Sequence, residues 1–356
     1  MSSMSMRAIS WLSVLCMIVT ACQVNAGNGR PAVLDSPARE VMHPAATFLL
    51  DVTAAGARLV AVGESGRIIL SDDQGKHWRQ AEVPTSVLLT AVEFANEKVG
   101  WAVGHSGIVL RTDDGGENWH RQLDGVQAAQ LVYDAVAKSR LLEPTHTKGM
   151  SIGQAKRLID DGPDKPLLAI KVEDANRVTV VGAFGFAFRT VDGGEQWFPL
   201  ESQLNNPMGL HYYGIAKASA GLVLVGEQGI VQYQKGSNEF VASAPADGTL
   251  FGVLSLDEHV LIAYGLRGKL VRSANGGQTW NSVQSGVEAS IQAGTILSNG
   301  AVLLVAENGR MIASKDQGHT FTVLPALIQP TADIVSVSEK SIMSVGPHGA
   351  QTVPVP

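Results

Sequence analysis

A unit of about 40 residues recurs along this chain of 356 residues, and it limits the possible folds more than any other feature. A unit contains an apolar segment, a Gly-x-x-Gly motif and a second apolar segment, and only the sixth copy lacks the first glycine of the motif. In most copies a Ser/Thr-x-Asp-x-Gly-x-x-Trp motif follows. The last glycine of the first motif stands at positions 66, 107, 185, 229, 268, 309 and 349. Five of the spacings lie between 39 and 44 residues and one is 78, so the chain contains seven units and one insertion.

A period near 40 residues with four short strands per unit is typical of β-propellers. Glycine makes up 38 of 356 residues, which suits many tight turns and argues against a helical bundle. Charged residues are only 17% and hydrophobic residues 45%, a composition too apolar for a disordered chain. The sequence therefore predicts an all-β fold, a seven-bladed β-propeller of four-stranded blades over residues 43–356, as one closed ring.

The second motif predicts a turn between the third and fourth strands, called the aspartate turn below. Short polar side chains can bond backbone amides within the turn, and the aromatic residue that follows can pack between blades. We interpret these residues as structural, because the turn explains their spacing fully. They are Asp73 and Trp78, Asp114 and Trp119, Asp192 and Trp197, Asn275 and Trp280, and Asp316 and Phe321.

The long spacing predicts a helical insertion between blades 2 and 3, over about residues 122–165. Ala128 to Leu141 has apolar residues at helical spacing. Ser151-Ile152-Gly153-Gln154 is a capping box that opens a second helix, which Asp161-Gly162-Pro163 ends, with Ile152, Ala155 and Ile159 on one side. Blade order places this insertion on the face of the Gly-x-x-Gly turns. Either it packs on the blades as a decoration or it contributes to binding.

The residues before the first blade carry three further predictions. Residues 1–26 resemble a signal peptide, with Arg7 as their one charge and an apolar run that follows it, and residues 27–42 read as a flexible lead-in. Cleavage after Ala26 is favoured, and a lipobox reading that would anchor the chain through Cys22 stays open. Both predict an exported, periplasmic protein. The segment from His43 to Leu50 could supply the strand that the seventh unit lacks, which would hide the sheet edges.

The aspartate turn is the Asp box of bacterial neuraminidase repeats. The fuller pattern, from Gly100-Trp101-Ala102-Val103-Gly104 through Arg111-Thr112-Asp113-Asp114-Gly115-Gly116 to Trp119, resembles the photosystem II stability/assembly factor family. The resemblance covers roughly residues 45–350. It implies a non-enzymatic propeller that binds membrane proteins during the assembly of a complex. The sequence does not say whether the host is photosynthetic or name the partner.

Two sets of residues are candidates for binding such a partner. Polar residues of the Gly-x-x-Gly turns form a predicted ring, comprising Glu64, His105, Glu227, Arg267, Glu307 and His348. Arginine precedes three aspartate turns, as Arg111, Arg189 and Arg272, and the resemblance makes these a candidate basic patch. The alternatives are a solvated turn surface for the ring and structural pairs between neighbouring blades for the arginines.

A carbohydrate-active propeller, a sialidase-like glycoside hydrolase, is the alternative function. The arginine-containing segment and late tyrosine nucleophile of a sialidase are absent from the sequence. No histidine spacing typical of a metal site and no phosphate-binding motif appears, so we expect no metal or cofactor. A net charge of -6 and a pI near 5.8 argue against nucleic acid. We therefore expect a monomeric, non-enzymatic protein whose partner is an integral membrane protein or envelope complex.

Overall fold

The apolar segments of every unit form antiparallel strands, and the two central strands of each blade are buried on both faces. A computed structural model describes residues 31–142, 150–236 and 239–356. It contains seven sheets, arranged in sequence order and packed face to face through apolar side chains. The innermost strand of each sheet lines a central channel. The predicted seven-bladed propeller is confirmed.

The strands follow one another from the channel outward in each blade. Blade 1 has β1 (Leu49–Ala55), β2 (Arg58–Gly63), β3 (Ile68–Ser71) and β4 (Arg79–Gln80). Blade 2 has β5 (Leu89–Phe94), β6 (Gly100–Gly104), β7 (Val109–Thr112) and β8 (His120–Leu123). Blade 3 has β9 (Leu167–Val172), β10 (Val178–Gly182), β11 (Ala187–Thr190) and β12 (Phe198–Pro199). Blade 4 has β13 (Tyr212–Ala218), β14 (Gly221–Gly226), β15 (Val231–Lys235) and β16 (Glu239–Ser243).

The remaining blades repeat this order. Blade 5 has β17 (Leu250–Ser255), β18 (Leu261–Gly265), β19 (Leu270–Ser273) and β20 (Asn281–Ser282). Blade 6 has β21 (Ile291–Ile296), β22 (Val302–Ala306), β23 (Arg310–Ser314) and β24 (Thr322–Leu327). Blade 7 has β25 (Asp333–Ser338), β26 (Ser341–Gly346) and β27 (Gly349–Pro354).

The two glycines of the Gly-x-x-Gly turn serve different purposes, as blade 1 shows. Gly66 has a φ of 72°, in the left-handed region that favours glycine. Gly63 has an extended φ of -174°, so it needs no unusual backbone. A Cβ on Gly63 would lie 2.1 Å from the carbonyl oxygen of Phe48, so the close approach of the first strand is what requires this glycine.

The ring closes by contact and not by the strand expected from His43 to Leu50. Within the described residues blade 7 has three strands, and that expectation is wrong for its fourth. Pro44–Ala46 forms a short 3-10 helix, since Pro44 lacks the amide that a strand ladder needs, and β1 begins at Leu49 in blade 1. A Cβ on Gly349 would lie 1.8 Å from the carbonyl oxygen of Ala45, so this helix covers the edge of blade 7.

The segment before the propeller is held against blades 1 and 2. Leu34 is fully buried, and the carbonyl oxygen of Val33 accepts hydrogen bonds from Thr85 and Ser86. Arg121 donates to Asp35 at 2.8 Å. These contacts differ from the flexible lead-in expected over residues 27–42. The predicted signal peptide and Cys22 lie outside the described residues.

The insertion forms two helices, α1 (Gly125–Leu142) and α2 (Ile152–Asp161), between blades 2 and 3. The Ser151 capping box is present, and Gly162 follows the last residue of α2 with a φ of 80°. Ala155 and Leu158 form the buried face of α2, whereas Ile152 and Ile159 are exposed, so only Ala155 is buried among the three residues expected on one side. The buried side chains of α1 pack on Trp197 and Leu123, outside the channel. Neither helix is long and apolar enough to span a membrane, which is true of every helix in the described ranges.

Candidate functional site

The propeller has two faces that differ in the loops they carry. The Gly-x-x-Gly turns between second and third strands lie on one face, called the turn-bearing face below. The aspartate turns lie on the opposite face, because they follow the third strand. Helix α1 begins on the turn-bearing face, where a Cβ on Gly107 would lie 2.7 Å from the Cα of Gly125.

The three glutamates of the predicted ring cap the first strands of their own blades. Glu64 accepts a hydrogen bond from the amide of Phe48 at 3.3 Å. Glu227 and Glu307 make the same contact in blades 4 and 6, with the amides of His211 and Ser290 at 3.2 Å. These carboxylates lie on the turn-bearing face. Their hydrogen bonds to backbone amides explain why glutamate occupies this turn position, and no bound partner protein is needed for that explanation.

The other three ring residues have no such role. His105, Arg267 and His348 are exposed on the same face, and their side chains make no hydrogen bond to other described residues. The ring thus divides into glutamates that stabilise the turns and basic residues that are available to a ligand.

The three predicted arginines lie on the opposite face from the ring. Arg111 donates to the carbonyl oxygen of Gly193 in the next blade and stacks 5.2 Å over the ring of Trp101. Arg272 likewise donates to Gln317 of the next blade at 2.8 Å. Arg189 contacts Thr179 within its own blade, and burial lowers the pKa of Arg189. Arg111 and Arg272 therefore join neighbouring blades, and the structure does not bring the arginines together with the ring.

The aspartate turns share the hydrogen bonds made by the Ser/Thr hydroxyl, the Asp or Asn side chain and the glycine amide. The indole bond is missing in blade 3, where Trp197 Nε1 is buried without a partner in the described structure, and in blade 6, which has Phe321. In blade 2, Asp114 accepts from Thr112 at 2.8 Å and from the amide of Asn118 at 3.1 Å. The amide of Gly116 donates to Thr112 at 3.0 Å, and the indole of Trp119 donates to the carbonyl oxygen of Gly116 at 2.9 Å. Hydrogen bonds from Asn118 and Thr112 hold the pKa of Asp114 below its usual value, although desolvation opposes them.

The central channel has a volume of about 410 Å³ and an unusual set of ionisable side chains. Asp51 and Asp333 are hydrogen-bonded to each other, and Glu93 forms an ion pair with Lys171. Burial raises the pKa of both aspartates, and the charge of Asp51 raises that of Asp333 further. The pair therefore retains one proton at pH values where exposed carboxyl groups are ionised.

A row of aromatic rings leads from the turn of blade 3 to the mouth of this channel. The ring centroids of Phe184 and His211 lie 4.8 Å apart, those of His211 and Tyr213 6.1 Å, and those of Tyr213 and Phe251 5.9 Å. Tyr213 and Phe251 occupy β-bulges at the second position of β13 and β17, which turn their side chains into the channel mouth. Burial, together with the charge of Glu227, raises the pKa of Tyr213. These four residues are called the aromatic row below.

Phe184 is the most unusual member of the row. Its φ of 57° places a bulky residue in the left-handed region, where the equivalent turn positions have serine, glutamine and arginine. Half of its surface is exposed, and so are Met208 in the loop before β13 and Leu266 in the turn of blade 5. A large apolar side chain that is half exposed in a costly backbone conformation makes Phe184 a candidate binding residue.

Sequence reasoning missed the aromatic row because it searched the turns for charged groups. Phe184 carried a signal, since it is the one aromatic residue in a variable slot of the seven turns. Tyr213 and Phe251 carried none, because the bulge that aims them at the channel depends on strand register. No group of three or more metal-ligating side chains lies together in the part of the chain that the structure describes.

Known proteins share this architecture. YCF48 from Cyanidioschyzon merolae matches with a TM-score of 0.61 and 16% identity, over 90% of this chain and 98% of that chain. A YCF48 bound to D1 peptide matches with a TM-score of 0.61 and 18% identity, over 88% and 95%. The WD40 β-propeller domain of Doa1 has a TM-score of 0.60 and 11% identity, over 90% of this chain and 95% of that chain. At such low identities these similarities support the fold alone.

Comparison by sequence matches a shorter part of the chain than comparison by structure. No curated protein matches the chain. Residues 70–139 match the family described as photosynthesis system II assembly factor YCF48, a stretch that includes the aspartate turns of blades 1 and 2. The chain is therefore a seven-bladed propeller similar to the photosystem II assembly factors of the YCF48 type, which confirms the resemblance read from its repeats.

Proposed function

We propose that this propeller is a non-enzymatic assembly or stability factor, which binds an extended segment of a membrane protein along the aromatic row. The observation that carries the proposal is the exposed, conformationally costly side chain of Phe184 at the start of this row. A YCF48 has been solved with a D1 peptide, so a propeller of this type binds a segment of another protein.

The spacing of the aromatic row suits an extended peptide. Side chains on one face of an extended chain recur every two residues, at about 6.6 Å. Ring separations of 6.1 and 5.9 Å from His211 through Tyr213 to Phe251 place one ring beneath each such side chain. Aromatic rings provide a large contact area at a small cost in side-chain entropy, which suits recognition of an apolar segment.

The hydrolase alternative finds less support in the channel. A glycosidase needs one free carboxylate and one acid separated by about 5 Å or more. The carboxyl groups of Asp51 and Asp333 are hydrogen-bonded to each other, and Glu93 forms an ion pair with Lys171, so none of the three is a free carboxylate. No arginine is among the residues that line the channel in the described structure. We propose that these four side chains stabilise the closed propeller and take no part in catalysis.

We further propose that the protein is exported to the periplasm and acts there as a monomer on an integral membrane protein or envelope complex. The basis is the signal-like composition of residues 1–26. Fractionation of cells that express the full chain, with N-terminal sequencing of the product, tests this. A mature terminus at Gly27 supports peptidase cleavage, and a lipidated Cys22 supports the anchored form. An uncleaved cytosolic product would contradict export.

Site-specific photo-crosslinking tests the binding face. A photoreactive phenylalanine analogue replaces Phe184 in one variant, and Val191 in a matched control. Val191 is 55% exposed in the same blade but lies within the aspartate turn on the opposite face. After incubation with host membranes, we expect one membrane protein to crosslink to position 184 and not to position 191.

A synthetic peptide from the crosslinked region should then compete for this product. Equal crosslinking from both positions, or none from position 184, would contradict the proposed face. Release of sugars from envelope glycans by the purified chain would favour the hydrolase.

A further inference from the structure

A small cavity lies beside the start of the aromatic row and contains a carboxyl oxygen with no hydrogen-bond partner among the described residues. The cavity has a volume of about 60 Å³ and lies between the turn of blade 3 and the start of α2. Met150, Leu204 and Pro207 form apolar walls, and Phe184 lies at its edge. Such a volume holds more than one water-sized group, since a single water needs about 10–15 Å³.

Glu201 is the acidic residue of this cavity. Its Oε2 atom is buried and has no hydrogen-bond partner in the structure. Burial raises the pKa of Glu201 to about 7, although a hydrogen bond from its own backbone amide opposes this effect. An ionised carboxyl in such a place costs free energy unless a counter-charge reaches it.

The neighbouring polar groups are already engaged. Asn206 exchanges two hydrogen bonds with the backbone of Leu210, at 2.8 and 2.9 Å. The Oε1 atom of Gln154 accepts a hydrogen bond from the amide of Ser151 in the capping box of α2. Lys165 lies 5.4 Å from the ring centroid of Phe184, but its ammonium group is paired with Asp164 and Asp161. The cavity thus holds one buried acceptor, Oε2 of Glu201, that pairs with none of these groups.

We propose that this cavity is a specificity pocket for a lysine side chain of the bound segment, with Glu201 as its counter-ion. The inference rests on the proposed function, since the aromatic row would hold the rest of that segment. A lysine would lay its methylene groups on the apolar walls and bring a compact ammonium group to Glu201. Charge complementarity of this kind selects among partners more than it adds affinity.

A displayed library of random ten-residue peptides tests the pocket on the full chain. Selection is run in parallel on the wild type and on Glu201→Gln, which keeps the shape of the side chain, and on Phe184→Ala. We expect wild-type peptides to carry apolar residues at alternate positions and a lysine at a fixed distance from them. The lysine should disappear from peptides selected on Glu201→Gln.

Synthetic versions of a selected peptide quantify the effect. Replacement of its lysine by norleucine should weaken binding to the wild type about tenfold, and binding to Glu201→Gln less than twofold. A thermal midpoint of Glu201→Gln at or above that of the wild type at pH 8 confirms that this variant folds. A Lys148→Gln variant, which removes a lysine close in sequence to Met150, should keep the same preference.

The outcomes separate the two proposals. Peptides that need Phe184 but show no lysine preference overturn the pocket and leave the binding face intact. The same holds if the preference persists in Glu201→Gln, or appears only after Lys148→Gln. Selected peptides that do not depend on Phe184 overturn both the face and the pocket.

Discussion

The carboxyl groups of Asp51 and Asp333 are hydrogen-bonded to each other across the seam between the first and the last blade. Asp51 also accepts from the amides of Val52 at 2.9 Å and Val92 at 2.6 Å, so the pair ties three blades together. The other ionisable side chains that line the channel are those of Glu93, Lys171, Tyr213 and Tyr264. One carboxyl group of this pair therefore keeps its proton, at the seam where the propeller closes, at pH values that ionise exposed carboxyl groups.

Stability should consequently fall as the pH rises. The pKa of each aspartate is higher in the folded than in the unfolded chain, so the folded state binds more protons. Stabilisation is complete below the unfolded pKa, near 4, and is lost as the pH rises toward the folded pKa of the pair. Urea unfolding from about pH 4 to pH 9 measures this. A stability that rises throughout this range would contradict the shared proton.

Asparagine substitutions separate the two aspartates. Asp333→Asn replaces the protonated carboxyl by an amide that donates the same hydrogen bond, so we expect a flatter pH profile and unchanged or greater stability at pH 8. Asp51→Asn leaves one oxygen for the two amides of Val52 and Val92, and should cost about 1–3 kcal/mol. Equal losses in both variants would contradict this assignment.

The aspartate turn of blade 2 offers a test of its structural role. Asp114→Ala removes the acceptor of Thr112 and of the Asn118 amide, so the free energy of unfolding should fall by about 1–2 kcal/mol. The neighbouring Asp113→Ala removes an exposed ion pair with Arg111 and should cost less than about 1 kcal/mol. Chemical denaturation of both variants compares them, and a larger loss for Asp113→Ala would refute the structural interpretation.

Substitution of Arg111 tests whether this side chain joins two blades or belongs to a partner-binding basic patch. Arg111→Ala loses its bond to Gly193 and its stacking on Trp101, and should lower the free energy of unfolding by about 1–3 kcal/mol. Crosslinking from position 184 should persist in this background. Arg39→Ala, at an exposed arginine of the leading segment, serves as the control and should change neither. If the folded Arg111→Ala variant no longer crosslinks from position 184, the result would support Arg111 as part of a partner-binding basic patch.

Phe184 should show opposite effects on stability and on binding. Phe184→Gly relieves the left-handed backbone, so the thermal midpoint should stay the same or rise. The same change removes an exposed ring from the aromatic row and should weaken capture of the membrane partner at least tenfold. Phe198→Ala, at a phenylalanine that is 49% exposed on the outer strand of blade 3, should leave capture unchanged.

The candidate site was only partly predictable from the sequence. Glu64, Glu227 and Glu307 stood out as polar turn residues, but their bonds to backbone amides appear only when the first strand lies beside the turn. Arg111 and Arg272 reach the next blade, a contact between residues far apart in sequence. Such partners are set by blade packing, which local spacing does not encode.

The sequence by itself determined the number of blades, the aspartate turns and the place of the helical insertion. These features depend on residues within one unit of about 40, where glycine conformation, short polar side chains and capping act locally. Only the tertiary structure decided how the ring closes, which channel carboxyls meet and where the aromatic row lies. Asp51 and Asp333 are joined only because the first and last blades become neighbours, and burial between those blades is what changes their chemistry.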